Sequence, residues 1–241
     1  MITDLLAKIK IHLKILLAYF LVTEVPSILG PFLQNAVVTF LIEISFFVAS
    51  LYLWTKLLVD WFTEFEASSN GSASLNAVIW KTIKWMLLSF GLAFVPAMLL
   101  GGVCLAMLGM ESFLGWSAYV VSFLWIGGYT SFRLVPSVLS LIQNNEDRKL
   151  WSGWAQTKQA HTQALKLSSL LTVITIPVIT LNIYATGGLE NFGNPNWEPS
   201  YSLDTFILNA LITIVLLPVY LECLYRFNDY LSREERHTGE I

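Results

Sequence analysis

Long apolar stretches separated by short polar ones run through almost the whole chain. A bilayer core about 30 Å thick is crossed by about 20 apolar residues in a helix. By this measure the pattern predicts six transmembrane helices, at 10–29, 35–58, 86–110, 113–142, 165–185 and 205–225. Gly30 and Pro31 are typical of a turn and separate the first two. The sequence therefore predicts an all-α membrane helix bundle, with residues 1–241 in a single integral membrane domain.

The basic residues predict how this bundle is oriented. Lys and Arg collect on the cytoplasmic side of short loops. With six spans, the two chain ends and the loops after the second and fourth spans lie on one side of the membrane. All 14 basic residues fall in or beside these four segments, and the three loops on the opposite side hold none. Both termini are therefore predicted to be cytoplasmic.

Composition and missing motifs narrow the classes of function. Only 13% of the residues are charged, against about a quarter in soluble domains. With 14 basic and 17 acidic residues there is no positive excess to hold a polyanion, so nucleic acid is not a predicted partner. We find no phosphate-binding loop, zinc-protease helix, serine-hydrolase elbow or metal-ligand spacing. No catalytic residue, cofactor or metal is predicted, and Cys104 and Cys223 are interpreted as buried thiols.

A short amphipathic stretch precedes the first, third and fifth predicted spans, which predicts cytoplasmic-side surface helices in the inner leaflet. The third is expected to begin at Asn144 or Asn145 as N-cap, with Glu146 and Asp147 in its first turn. Lysines beside apolar runs can reach lipid headgroups, and tryptophans favour the interface. The predicted lipid or partner surface comprises Lys84, Trp151, Trp154, Lys158 and Lys166.

Charged residues within the predicted spans are the candidates for an intramembrane polar site: Glu24, Glu43, Glu222 and Arg133. Glu43 lies among apolar neighbours, so it is expected to face the bundle interior or to stay protonated. Glu222 is four residues before Arg226, a spacing that favours an ion pair, and Arg133 is a further candidate partner for either acid. These groups either join helices as structural polar contacts, form a proton or cation path through Glu43, or contact lipids or a partner.

Small residues at close-packing spacing predict a tight hairpin of the third and fourth spans. Gly102 with Ala106, and Ala118 with Ser122, are the expected contact positions.

Three stretches resemble the YciC-like proteins and the membrane domain of glycerophosphoryl diester phosphodiesterases. Phe132-Arg133-Leu134-Val135-Pro136-Ser137-Val138-Leu139 is similar to a span end in that family, and the chain end from Pro218 through Tyr225 and Arg226 is similar to its closing pattern. Gly153-Trp154-Ala155-Gln156-Thr157-Lys158-Gln159 keeps the Trp and Thr of a Ser-Trp-x-Leu-Thr-x-Gly pattern, with Gly, Gln and Gln at the other three positions. The resemblance implies a six-span bacterial inner-membrane protein. The phosphodiesterase activity is not carried over, because the chain has no room for a soluble catalytic barrel.

The first functional hypothesis is a non-catalytic multi-pass membrane protein that acts through membrane lipids or a protein partner, as a subunit or assembly helper of a membrane complex. The second is a transporter or permease subunit that uses Glu43. An intramembrane lipid-modifying enzyme is the third.

Overall fold

A computed structural model of the chain describes residues 2–29, 36–63, 74–109, 113–144, 146–185 and 203–238. These residues form helices and no strand, which confirms the all-α class. The elements are α1 (Ile2–Leu29), α2 (Ala36–Thr63), α3 (Leu75–Leu108), α4 (Phe113–Leu134), α5 (Pro136–Asn144), α6 (Leu150–Gln156), α7 (His161–Ala185), α8 (Leu203–Leu211), a π-helical segment (Ile212–Leu216) and α9 (Leu217–Thr238).

Among the described residues, four helical stretches are long and apolar enough to cross a membrane: Val37–Thr63, Leu75–Leu108, His161–Leu181 and Thr205–Arg233. They lie in α2, in α3, in α7 and across α8 to α9. Four such helices are those of an integral membrane protein. The predicted turn at Gly30 and Pro31 lies outside the described residues.

The predicted surface stretches before the first and third spans are not separate helices. Each forms the first turns of a helix, α1 or α3, that continues without a break through the predicted span that follows. The 34 residues of α3 reach about 51 Å at 1.5 Å per residue, so its first turns extend beyond a core about 30 Å thick. A break there would leave backbone groups unpaired close to hydrocarbon, which favours one long helix.

The fourth predicted span, 113–142, is two helices. The first helix, α4, ends at Leu134, and the second, α5, begins at Pro136. Proline has no N–H to donate, and its ring clashes with the carbonyl four residues earlier, so it suits the first position of a new helix. Four apolar side chains of α5, at Val138, Leu139, Leu141 and Ile142, are at most 5% exposed.

The predicted start of the third surface helix is wrong. Asn144 ends α5, and residues 146–149 are not helical. The helix α6 begins at Leu150, so Glu146 and Asp147 precede it instead of forming its first turn. Both acids pair with basic side chains, Asp147 with Lys81 of α3 and Glu146 with Arg148. Asn145 lies outside the described residues.

The helices α3 and α4 form the predicted tight hairpin, but the contact is one residue away from the expected position. A Cβ atom on Gly101 would lie 2.3 Å from the ring of Tyr119, whereas Gly102 faces open space. The absence of a side chain at Gly101 therefore sets how closely the two helices approach.

The most deeply buried side chains collect at one end of the bundle, where the end of α2, the α4–α5 break and α9 meet. They include Leu57, Trp61, Phe132, Leu139, Leu224 and Phe227. The same region holds Lys8, Lys81, Arg133 and Arg226, and we call it the basic end. Elsewhere α2, α3 and α7 present exposed apolar side chains, as expected for helices surrounded by lipid.

Candidate functional site

A groove of about 910 Å³ opens at the basic end, between the first turns of α3, the end of α5 and residues 147–151. Its charged wall consists of four basic side chains and one carboxylate: Lys81, Lys84, Arg148, Lys149 and Asp147. The groove therefore carries an excess of positive charge, which attracts an anion.

Two tryptophans flank this charged wall. Trp80 on α3 is 64% exposed and Trp151 on α6 is 54% exposed, and both line the groove. Exposed indoles beside basic side chains are typical of the interface between lipid headgroups and hydrocarbon. Apolar side chains, including Leu87 and Leu88, continue the groove along α3.

Lys81 joins the two walls of the groove. Its buried ammonium group donates to the Asp147 carboxylate at 2.5 Å and also to the Arg148 carbonyl. The hydrogen bond and the charge of Lys81 lower the pKa of the Asp147 carboxyl below its usual value. Lys81 therefore holds the segment before α6 against α3, while Lys84 is exposed within the groove.

Arg133 holds α6 in place from behind the groove. Its guanidinium donates to the Thr157 hydroxyl at 2.6 Å, to the Tyr129 hydroxyl at 2.7 Å and to the Trp154 carbonyl at 2.8 Å. It also lies 4.3 Å from the centre of the Trp154 ring. Arg133 therefore bonds neither Glu43 nor Glu222, so the predicted partnership with these acids is wrong. Its buried charge is stabilised by acceptor oxygens and an aromatic face instead.

The short helix α6 packs against the α4–α5 break at Leu134 and Ser137, which we call the seat of α6. The Ser137 hydroxyl donates to the Lys149 carbonyl at 3.0 Å and accepts from the Gly153 N–H at 2.9 Å. A Cβ atom on Gly153 would lie 2.7 Å from the Ser137 Oγ and 2.9 Å from the Leu134 carbonyl oxygen. Two of the stretches that carry the family resemblance, 132–139 and 153–159, are thus in direct contact.

A second polar cluster at the basic end joins α1 to α9. The buried Lys8 ammonium donates to Glu222 at 2.8 Å, and Arg226 donates to the other oxygen of the same carboxylate at 3.1 Å, as its spacing predicts. Lys8 also lies 4.3 Å from the centre of the Tyr225 ring. Glu222 is therefore neutralised by two cations, and its contacts connect α1 with α9.

The other two acids lie away from the basic end. Glu24 accepts a hydrogen bond from the Asn209 amide at 3.1 Å, which joins α1 to α8. Glu43 is on an exposed face of α2 and forms no hydrogen bond or ion pair with a described residue, so of the two alternatives for this acid the one that placed it in the bundle interior is wrong. It follows the start of α2 by seven residues, or about 10 Å along the axis, and so lies in the first third of that helix.

The structure separates the predicted lipid or partner surface into parts. It brings Lys84 and Trp151 together in the groove. Trp154 is half-buried against Arg133, and Lys158 and Lys166 are exposed and do not line the groove.

Sequence reasoning missed Trp80 and Lys149 as groove residues, and Lys8 and Asn209 as partners of the acids. Trp80 precedes Lys84 by one helical turn, a local signal that places both on one face. The pairing of Lys8 with Glu222 joins residues 214 positions apart and has no local signal.

No group of three or more His, Cys, Asp or Glu side chains suited to a metal ion occurs among the described residues. Comparison of the chain with known protein families, curated proteins and solved structures finds no match.

Proposed function

We propose that this protein is a non-catalytic multi-pass membrane protein that binds anionic lipid headgroups in the groove at its basic end. The observation that supports this is the meeting of Lys84, Lys149 and Arg148 with Trp80 and Trp151 around one open volume. A lipid phosphate pairs with the cations while the indoles lie at headgroup level. The apolar continuation along α3 suits the start of an acyl chain.

The number of spans, their orientation and the membrane in which the protein lies are also part of the proposal. The distribution of the 14 basic residues favours six spans with both termini and the groove in the cytoplasm. The resemblance to the YciC-like proteins favours a bacterial inner membrane. There the bound lipid holds the protein at a site of anionic lipid, where it acts as a subunit or assembly helper of a membrane complex.

The transporter hypothesis relied on Glu43 in the bundle interior. Its exposed position on α2, away from the groove, does not support that role. A lipid-binding function for the groove does not involve this carboxylate.

Native mass spectrometry of the full chain in mild detergent tests the proposal. With added phosphatidylglycerol we expect bound lipid, and with added phosphatidylcholine much less. Lys84→Ala and Lys149→Ala should each weaken phosphatidylglycerol binding about fivefold, because a basic residue near an anionic surface contributes about 1 kcal/mol.

Lys158→Ala is the matched control. It removes one exposed positive charge outside the groove and should leave phosphatidylglycerol binding unchanged. Equal binding of the two lipids, or equal effects of Lys84→Ala and Lys158→Ala, would contradict the proposal.

A further inference from the structure

A second cavity, of about 580 Å³, lies between α1, α4, α7 and the helix formed by the π-helical segment and α9. This volume is within the range of small-molecule sites, about 300–1,000 Å³. Its wall is mostly apolar but carries hydroxyl groups from all four sides: Tyr19, Thr23, Ser131, Thr172, Thr175, Thr213 and Tyr220.

Three of these hydroxyl groups donate their protons in hydrogen bonds to backbone carbonyls of their own helices. Thr172 donates to the Ser168 carbonyl at 2.8 Å, and Thr175 donates to the Leu171 carbonyl at 2.7 Å. Thr23 donates to carbonyls of its own helix in the same way. Each oxygen keeps lone pairs, so toward the cavity these groups act as acceptors. They favour a ligand that donates hydrogen bonds.

A carboxylate that does not itself line the cavity is connected to its wall through α1 and α8, on the side away from the basic end. Glu24 directly follows Thr23 in α1, and its partner Asn209 is one turn before Thr213. In surroundings of low dielectric constant a carboxylate favours a nearby cation. The apolar remainder of the wall does not suit a bare metal ion, which requires a shell of oxygen ligands.

The backbone is also irregular beside this cavity. The π-helical segment includes Ile212, Thr213 and Leu216 on the cavity wall, and it ends two residues before Pro218 of α9. Proline clashes with the carbonyl four residues earlier, which here belongs to Ile214, and a widened turn relieves that clash. Single π-helical turns of this kind are frequent at functional sites.

We propose that this cavity binds an amphiphilic primary amine, with its apolar body against the cavity wall and its ammonium group donating to the threonine oxygens of that wall, on the side on which Glu24 follows Thr23. This site is separate from the headgroup groove and does not depend on the function proposed for it. An alcohol of equal length satisfies the same acceptors but gains nothing from the carboxylate.

Equilibrium dialysis of the full chain in detergent micelles tests the proposal with three labelled probes of equal chain length. These are octylamine, octanol and octyltrimethylammonium, which keeps the charge but has no N–H. We expect saturable binding of octylamine above micelle partitioning, and at least about tenfold weaker binding of the other two probes. Lys84→Ala should leave octylamine binding unchanged, which separates this site from the groove.

The threonines of α7 provide a matched pair of variants. Thr172→Val with Thr175→Val removes two cavity acceptors at nearly constant volume and should weaken octylamine binding at least about tenfold. Thr180→Val removes a hydroxyl group with the same kind of bond, to the Ile176 carbonyl, on the exposed face of α7 outside the cavity, and should have no effect.

Glu24→Gln keeps an acceptor for Asn209 and should abolish the preference for octylamine over octanol. If the α7 double variant does not fold, Thr23→Val on α1 makes the same test from another helix. The proposal is overturned by non-saturable octylamine uptake, by equal binding of octylamine and octyltrimethylammonium, or by folded cavity variants that bind like Thr180→Val.

Discussion

Arg133 shows how one buried cation is accommodated in this protein without a carboxylate. It is 5% exposed and lies in the last turn of α4, where the helix dipole favours positive charge. Its hydrogen bonds reach a hydroxyl group and a carbonyl on the α6 side, and its guanidinium stacks near Trp154. The residue therefore connects the end of a long helix to a short helix that has little stability of its own.

We predict that Arg133→Gln lowers the free energy of unfolding by about 2–4 kcal/mol, because it leaves buried acceptors without a charged donor. The measurement is the thermal unfolding midpoint in detergent. Arg233→Gln, which removes an exposed i to i+4 pair with Asp229, should change stability by less than about 0.5 kcal/mol. Similar losses in the two variants would show that Arg133 has no special structural role.

At the scale of elements, the position of α6 depends on close backbone approach. Gly153 lies against the α4–α5 break, and the Ser137 hydroxyl caps its N–H. Since Trp151 belongs to the same short helix, this seat also determines where one wall of the groove lies.

We predict that Gly153→Ala displaces α6 and weakens phosphatidylglycerol binding several-fold, because the added Cβ would lie 2.7 Å from the Ser137 Oγ. Native mass spectrometry measures the loss, and circular dichroism should show helix content unchanged to within a turn or two. Gly102→Ala, a helical glycine with open space around it, is the control and should bind lipid normally. Unchanged phosphatidylglycerol binding by Gly153→Ala would contradict the prediction that the packing of α6 at its seat positions the wall of the groove.

At the scale of the whole molecule, the basic side chains that pair with other groups and the most deeply buried apolar side chains lie at the same end. The densely packed core and the contacts of Lys8, Lys81 and Arg133 share one end, and most of the exposed aliphatic side chains belong to the rest of the bundle. Such a distribution suits a protein with one end among lipid headgroups and the remainder in hydrocarbon.

The proposed orientation predicts which positions a membrane-impermeant thiol reagent reaches in cells. In a background with Cys104→Ser and Cys223→Ser, Asn194→Cys should react from outside, because it lies in a predicted outer loop. Lys158→Cys at the basic end should react only after permeabilisation. Labelling of both positions from the same side of intact cells would exclude the six-span arrangement.

The sequence by itself determined the helical class, the apolar stretches and the pair between Glu222 and Arg226. Each of these depends on residues within a few helical turns of one another, where periodicity and spacing carry the information. The resemblance also selected residues 132–139 and 153–159, although nothing in either stretch shows that they touch.

Only the tertiary structure decided which polar residues meet. The partners of Arg133, the bond between Lys8 and Glu222, the groove around Lys84 and the hydroxyl-lined cavity each depend on the approach of helices that are distant in sequence. Prolines illustrate the same limit: Pro96 and Pro177 lie inside continuous helices, whereas a new helix begins at Pro136. Continuing a helix through a proline has the same local cost in lost hydrogen bonding and steric clash at each site. The packing of neighbouring helices decides whether the helix continues.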